Sequence, residues 1–375
     1  MHAVPVRTRG RSARRIIAIA LVATAALSAC SSRESNSADQ AGSATIQIVD
    51  QRGQTVTITK DVKKIAFAVI PAPAIFAAVD RSYDRIVGIN QSTLVANKGG
   101  MFATIFPQSV NSTVVAGNNF IPNVETLLKL NPDVVVQWGD RGPDVTEPIV
   151  KAGFPVVGLK YGTQENLEGW IKLFADIAGK PARGTELVNW LHSEIDATRT
   201  EVAAEKTPRP RAMILSRVGE AYSTTSASGY DGFQFDLVGA DLVTKGFPGD
   251  APQITAEQIL TWNPEVILLS GFDESTPAEI YADPRLAGVS AVQHRRVYKT
   301  PLGGYRWQVP SVESPLMWQW MHEVLYPKTA PSDLRKNVRD SFDNLFGYKI
   351  SDKEIDQVLR LDLNANSAGY DHFRG

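Results

Sequence analysis

Residues 124–136 read VETLLKLNPDVVV, and residues 256–268 read AEQILTWNPEVIL. The two stretches align at a constant offset of 132 residues, with acid, proline and apolar phase in step. In each, a helical pattern stops at Asn-Pro, because the residue before a proline is pushed out of the helical region. An acid and a run of Val, Ile or Leu follow, the pattern of a strand buried on both faces of a parallel sheet. Two such units, separated by a long helical stretch, predict two similar α/β lobes.

Working outward, strand and helix signals alternate on both sides. A hairpin is expected over 45–59, turning at Arg52-Gly53. A buried strand over 65–70 is stopped by Pro71 and Pro73, then come a helix over 74–79 and a strand over 86–89. The first repeat supplies a helix and the strand 134–138; a helix over 146–152 and a strand over 156–159 follow. Two helices are expected over 164–178 and 181–204, punctuated by Gly179 and Pro181. In the second, Leu187, Leu191, Ile195, Thr198 and Val202 make one apolar face, and its length would be roughly 36 Å at 1.5 Å per residue. Alternation resumes with strand 212–215, helices 232–238 and 256–260, strand 266–269, helix 278–282 and strand 297–299. Helices over 318–326, 332–346 and 353–361 close the chain. This βαβ order predicts an α/β fold: two similar parallel-sheet lobes joined by a single long backbone helix, with a ligand cleft between them.

Composition narrows the function. The chain has 375 residues with 43% hydrophobic and 21% charged side chains, enough for two lobes with cores of their own. A net charge of −1 leaves no electrostatic footprint for nucleic acid. One cysteine excludes an internal disulfide framework, a Cys-rich zinc site and an iron–sulfur cluster. The N-terminus carries Arg7, Arg9, Arg11, Arg14 and Arg15 and no acid, then an apolar run over 16–27 that is too short to span a bilayer. That is an export signal, with Arg14-Arg15 allowing a twin-arginine route. The run ends Leu27-Ser28-Ala29-Cys30, which resembles the lipobox of bacterial lipoproteins and implies lipidation at Cys30. Cleavage before Cys30 leaves 34 basic and 40 acidic side chains, a net charge of −6. The expected organisation is a lipoprotein signal peptide over 1–29, a flexible tether over 30–44, an N-terminal lobe over 45–163, a helical linker over 164–207, a C-terminal lobe over 208–328, and C-terminal helices and tail over 329–375. The tether's Ser/Ala/Asn-rich part would span roughly 20 Å and hold the lobes at the outer face of the cytoplasmic membrane.

Four stretches carry a resemblance to a family: DRIVGI at 84–89, the paired segments around 124–136 and 256–268, DPRLAGVSAVQHRRVY at 283–298, and 307–327. Over about 45–361 the chain resembles the helical-backbone (class III) substrate-binding lipoproteins of ABC importers, the group that delivers ferric siderophores, haem and cobalamin. The resemblance implies capture of a ferric siderophore or similar chelate between the lobes, delivery to the permease, a monomer, no cofactor and no enzymatic activity. It also implies modest closure, since one packed helix resists hinge motion. Family members dock on the permease with one acid per lobe. By loop position this falls on Asp144, with Glu147 nearby, in the first lobe, and on Glu274, with Glu279 nearby, in the second.

Ligands of open α/β sheets sit beyond the carboxyl ends of the strands. The candidates there are Trp138, Arg141, Tyr161, Arg217, Tyr222, Tyr230, Tyr305, Arg306 and Trp307. Aromatic rings give stiff contact area for a chelate, and arginine gives forked donors for its oxygens. The strongest expectation falls on Gly303-Gly304-Tyr305-Arg306-Trp307, where two glycines allow close backbone approach. Competing readings are a receptor for cobalamin, haem, a chelated metal or a molybdate-type oxyanion, an exported enzyme, and a structural envelope lipoprotein. His192, His294, His322 and His372 are scattered, which argues against a bare divalent metal, and no Gly-x-Ser-x-Gly or Ser-x-x-Lys pattern occurs.

Overall fold

The two Asn-Pro motifs occupy equivalent places in two separate sheets. The structure, a computed structural model, describes residues 44–375 apart from positions 248, 250 and 332. The export segment, Cys30 and the tether up to residue 43 lie outside the described residues. β1 (Thr45–Val49) and β2 (Thr55–Thr59) form the antiparallel hairpin, turning through Gly53 at φ 80°. β3 (Ile65–Phe67), β4 (Ile86–Asn90), β5 (Thr113–Ala116), β6 (Val134–Trp138) and β7 (Val156–Leu159) build a five-stranded sheet in the order β5-β4-β3-β6-β7, every pair parallel.

β8 (Arg211–Val218), β9 (Ala221–Thr224), β10 (Asp241–Leu242), β11 (Gln253–Ile254), β12 (Val266–Leu269) and β13 (Val297–Lys299) build the second sheet. Its order is β11-β9-β8-β12-β13, with β10 beside β8. This sheet is mixed. β8, β10, β12 and β13 run parallel, but β9 and β11 pair antiparallel, because the chain turns back at Gly219 into a β8–β9 hairpin. Only strand 212–215 is expected here from the sequence, so the β8–β9 hairpin is a feature that reading did not find.

The repeat acts identically in both sheets. Helix Val124–Leu130 ends on Asn131 at φ 48°, and helix Ala256–Trp262 ends on Asn263 at φ 42°. Asparagine is one of the few non-glycine residues that tolerates this left-handed region. The acid after the proline then ties down the neighbouring strand. Asp133 Oδ2 accepts from the amides of Lys63 and Lys64 at 2.7 and 2.9 Å, at the entry to β3, and Glu265 Oε2 accepts from the amide of Arg211 at 2.9 Å, at the start of β8. The motif therefore ends a helix, starts a strand and sets that strand's register.

Helices Gln164–Ala178 and Pro181–Ala204 link the lobes, the second being the long backbone helix. It buries Leu187, Val188, Leu191, Ile195 and Thr198 and crosses its partner closely at Gly184, where a Cβ would come within 2.6 Å of the Ala175 methyl. The chain's last segment also lies across both lobes. On the first lobe, Arg81 Nη2 donates to Asp343 O (3.0 Å), and Phe346 packs edge-on to Phe102 with centroids 5.6 Å apart. On the second, Tyr298 Oη donates to Ala368 O (2.8 Å) and Asn364 Nδ2 to Lys299 O (3.1 Å). The last helices run Ser314–Leu325, Leu334–Phe346 and Asp352–Val358; the first begins four residues before its expected start, with Trp318 and Trp320 buried in its core face.

Candidate functional site

A cavity of about 320 Å³ opens between the carboxyl ends of the two sheets. β3 ends at Phe67, earlier than its sequence suggested, and Ile70 and Pro71 turn over into this cavity. Trp138, the last residue of β6, forms its first wall together with Tyr161 and Arg141. The indole is boxed edge-on by Tyr161 (5.8 Å) and Phe120 (5.9 Å) and lies against Trp170 (5.7 Å), which fixes its plane. The Arg141 guanidinium lies 4.7 Å from the Phe120 centroid and 5.1 Å from that of Trp138. Such stacking orients a cation without neutralising it. Among the described residues Arg141 makes no ion pair, and the buried Trp138 Nε1 has no hydrogen-bond partner.

The facing wall is hydroxylic. Ser216, Ser223, Thr224, Thr225, Ser226 and Ser228 line it, with Tyr230, Asp231, Ser270, Phe272 and Gln308. Some hydroxyls are spoken for: Thr224 Oγ1 donates to Ile214 O (2.6 Å), and Ser226 Oγ to Gly249 O (2.9 Å). Thr225 Oγ1 is buried and within hydrogen-bond distance of no partner among the described residues, but it lies beside Asp231 and lowers that carboxyl's pKa. Tyr230 Oη donates to Gln164 Oε1 at 3.1 Å, and burial raises its pKa. Asp231 accepts from Gln234 Nε2 at 2.6 Å, and burial pushes its carboxyl up to about 6.

Of the sequence candidates, Trp138, Arg141, Tyr161 and Tyr230 line this cavity. Arg217 and Tyr222 do not, for a reason written in the β8–β9 register. Ser216 pairs with Ser223 and both face the cavity; Arg217 pairs with Tyr222 and the alternation of strand side chains sends both to the other face. There Tyr222 Oη donates to Asp283 inside the second lobe, and burial with that carboxylate raises its pKa to about 12. Arg217 lines a separate groove with Phe272, Asp273, Glu274 and Glu279.

The 303–307 cluster is a correction too: Tyr305, Arg306 and Trp307 are absent from the cavity wall. The segment wraps a buried carboxylate. Glu313 accepts from the amides of Gly304 and Tyr305 (3.1 Å each) and from Trp307 Nε1 (3.0 Å). A side chain at 303 would collide with that carboxylate, and one at 304 would come within 2.8 Å of Phe102 Cε2, so the glycines admit Glu313 and a neighbouring ring rather than a ligand. Arg306 is a tie between lobes, donating to Ser92 O (3.2 Å) and Gly271 O (2.6 Å). Sequence reasoning missed the hydroxyl wall and Asp231. The Ser/Thr density of 223–228 was its visible signal, whereas an acid in a helix's first turn reads as a dipole partner.

The acids beyond β6 and β12 differ in how they are engaged. Asp140 accepts from the Tyr161 amide (3.0 Å), Glu147 pairs with Lys151 (2.6 Å), Asp273 lies 3.6 Å from Lys299, and Glu279 closes a capping box with Thr276. Asp144 and Glu274 are exposed, and neither has a hydrogen bond or ion pair among the described residues. No cluster of three or more His, Cys, Asp or Glu among the described residues is arranged to hold a metal ion.

Two lobes, a joining helix and a cleft at the strand ends are the architecture of a solute receptor, and the family model for periplasmic binding proteins matches residues 76–302. The chain belongs to the periplasmic binding protein family. A periplasmic solute binding protein from Veillonella parvula superposes with a TM-score of 0.78 at 30% identity, covering 86% of this chain and 99% of its own. The molybdate-binding protein MolA of Haemophilus influenzae is 25% identical over 324 residues, 80% of this chain and 90% of its own. The Fe(3+)-citrate-binding protein YfmC of Bacillus subtilis is 23% identical over 299 residues, 78% of this chain and 90% of its own. This periplasmic binding protein is thus the substrate-binding component of an ABC importer and works outside the cytoplasm.

Proposed function

We propose that this binding protein captures a compact, anionic Fe(III) chelate of the siderophore class in the interlobe cavity and hands it to the permease. The observation that carries the reading is the Trp138–Tyr161–Arg141 wall: flat rings beside a guanidinium that no carboxylate among the described residues pairs with. A chelate offers both an apolar face for the rings and ligand oxygens for the forked donors. The receptor is a monomer anchored through lipidated Cys30, needs no cofactor and turns nothing over. Asp144 and Glu274, exposed on their respective lobes, are the acids that meet the permease, one from each lobe.

A second reading, a receptor for a molybdate-type oxyanion, is favoured by the hydroxyl-rich wall and by the likeness to MolA. The deciding experiment follows tryptophan fluorescence of the full chain in detergent against ferric citrate, a ferric trihydroxamate, haem, cobalamin, free metal ions and molybdate. Saturable quenching by a ferric chelate is the expected result. Quenching by molybdate alone would transfer the assignment to the oxyanion, and turnover of any added compound would remove the receptor reading.

A further inference from the structure

Asp231 is a carboxylate in the wall of a cavity otherwise furnished with donors. It is the second residue of helix Tyr230–Leu237, whose N-cap, Gly229, supplies no side-chain cap. The helix N-terminus favours an ionised acid there, while burial raises its pKa to about 6; at neutral pH the group is therefore mostly ionised and accepts without donating. Gln234 Nε2 engages Oδ1 at 2.6 Å and the Thr225 hydroxyl lies beside the carboxylate, two donors for a group whose two oxygens can accept about four, so the Asp231 side chain in the cavity wall keeps acceptor capacity. Among the described residues, the charged side chains lining the cavity are Arg141 and Asp231.

We infer that Asp231 is the specificity-determining residue of the cleft: it accepts a hydrogen bond from the ligand, and so selects chelates bearing a donor, a chelator hydroxyl or an iron-bound water, over fully ionised oxyanions. The inference rests on the Fe(III)-chelate reading and deepens it. An anion that offers only acceptor oxygens can satisfy Arg141, but it then faces the Asp231 carboxylate with like charge and no proton between them. In a site of low dielectric that juxtaposition is heavily penalised, and an acceptor left without a donor adds to the penalty. A ligand with a hydroxyl or a metal-bound water on that side turns the same carboxylate into an attractive contact. The cavity thus reads two features at once: oxygens on the side of Arg141 and a proton on the side of Asp231.

The test measures dissociation constants of ferric citrate and sodium molybdate for the full chain in detergent, as wild type, Asp231→Asn and Asp231→Ser. Thermal unfolding identifies which variants are folded; serine keeps the test open should the amide variant fail to fold. Wild type is expected to hold ferric citrate at least tenfold more tightly than molybdate. A folded variant is expected to narrow that ratio at least tenfold, by admitting molybdate and loosening the chelate. Equal affinities in wild type, or a ratio that moves less than tenfold in the folded variants, or molybdate still unbound by them, overturns the role of Asp231 and leaves the receptor standing. Silence of the wild type towards every ferric chelate of the fluorescence panel removes the Fe(III)-chelate reading, and this inference falls with it.

Discussion

Arg306, in the segment after β13, donates from Nη1 to the carbonyl oxygen of Ser92 at 3.2 Å, joining the second lobe to the first. Its Nε donates to Gly271 O at 2.6 Å, and its guanidinium lies 4.5 Å from the centroid of Phe272, a ring of the cavity wall. One buried side chain therefore ties lobe to lobe and backs the binding site. Met101 N to Gly303 O (2.9 Å) adds a second tie nearby. The backbone helix is not the sole restraint on lobe motion.

Removing the tie should cost stability and affinity together. Arg306→Ala leaves two carbonyl oxygens without their donor, and hydrogen bonds from charged groups contribute about 1.5–3 kcal/mol each. A loss of about 3–6 kcal/mol in urea unfolding is expected, with weaker binding because Phe272 loses its backing. Arg306→Lys should recover less than half of this, since an ammonium cannot reach both carbonyls in the fork geometry of arginine. Full recovery by lysine would show that charge alone, not the bridge, matters.

The architecture was legible because the Asn-Pro-acid motif does its work within a dozen residues: helix end, strand start and strand anchor are all local. The site was less legible because it depends on pairings between segments. Arg217 follows an apolar strand run and looks like a cleft residue. Only the hairpin turn at Gly219 and the pairing with Tyr222 turn it away from Ser216. Likewise the 303–307 cluster looks like a ligand cradle until Glu313 enters from the head of the next helix. A lone acid within the otherwise uncharged stretch 307–318 was the available signal, and its null exposure in the fold shows that it is internal. Trp138, Tyr161 and Arg141 were recoverable because they directly follow parallel strands, where sheet topology alone places a cleft.

Two arginines separate binding from scaffold. Arg141→Ala should weaken binding of an anionic chelate at least tenfold with little change in urea unfolding, because the guanidinium is exposed and makes no ion pair among the described residues. Arg217→Ala should leave affinity unchanged. Its pairs with Glu220 (3.7 Å) and Asp283 (4.0 Å) are long, and Asp283 keeps Arg285 at 2.8 Å when Arg217 is removed. Parallel titrations of the two variants check both statements; equal losses would place Arg217 in the binding path.

The docking acids are open to a test of the opposite kind. Asp144→Lys with Glu274→Lys reverses charge at two exposed positions that hold no hydrogen bond among the described residues, so folding and ligand affinity should survive. Uptake of labelled ligand by cells carrying the permease should be lost. Glu279→Lys should behave differently, because Glu279 Oε2 accepts from the Thr276 amide at 2.8 Å in a capping box, and losing such a cap costs about 0.5–2 kcal/mol. Normal uptake by the double variant would move the docking surface elsewhere.

Glu313 makes a prediction in pH. Three N–H groups converge on its carboxylate, which favours the charged form, yet burial outweighs them and pushes its pKa from about 4.5 to about 7. Below the lower value the group is protonated in both folded and unfolded chains, and its stabilising contribution is complete. Between the two values the unfolded chain ionises while the folded one holds its proton, so stability falls as pH rises and the contribution is gone above about 7. Each pH step across that window is worth up to about 1.4 kcal/mol, which gives a total of about 2–3 kcal/mol. In Glu313→Gln the amide oxygen can keep the Gly304 and Trp307 donors, but its NH₂ meets the Tyr305 N–H and leaves that donor unsatisfied. The variant should therefore be less stable than wild type at pH 4.5, and its deficit should shrink by about 2–3 kcal/mol by pH 8 because glutamine does not titrate. Urea unfolding of the two proteins at matched pH values measures that difference directly, and a deficit that stays constant or grows with pH would mean that the converging donors, not burial, govern Glu313.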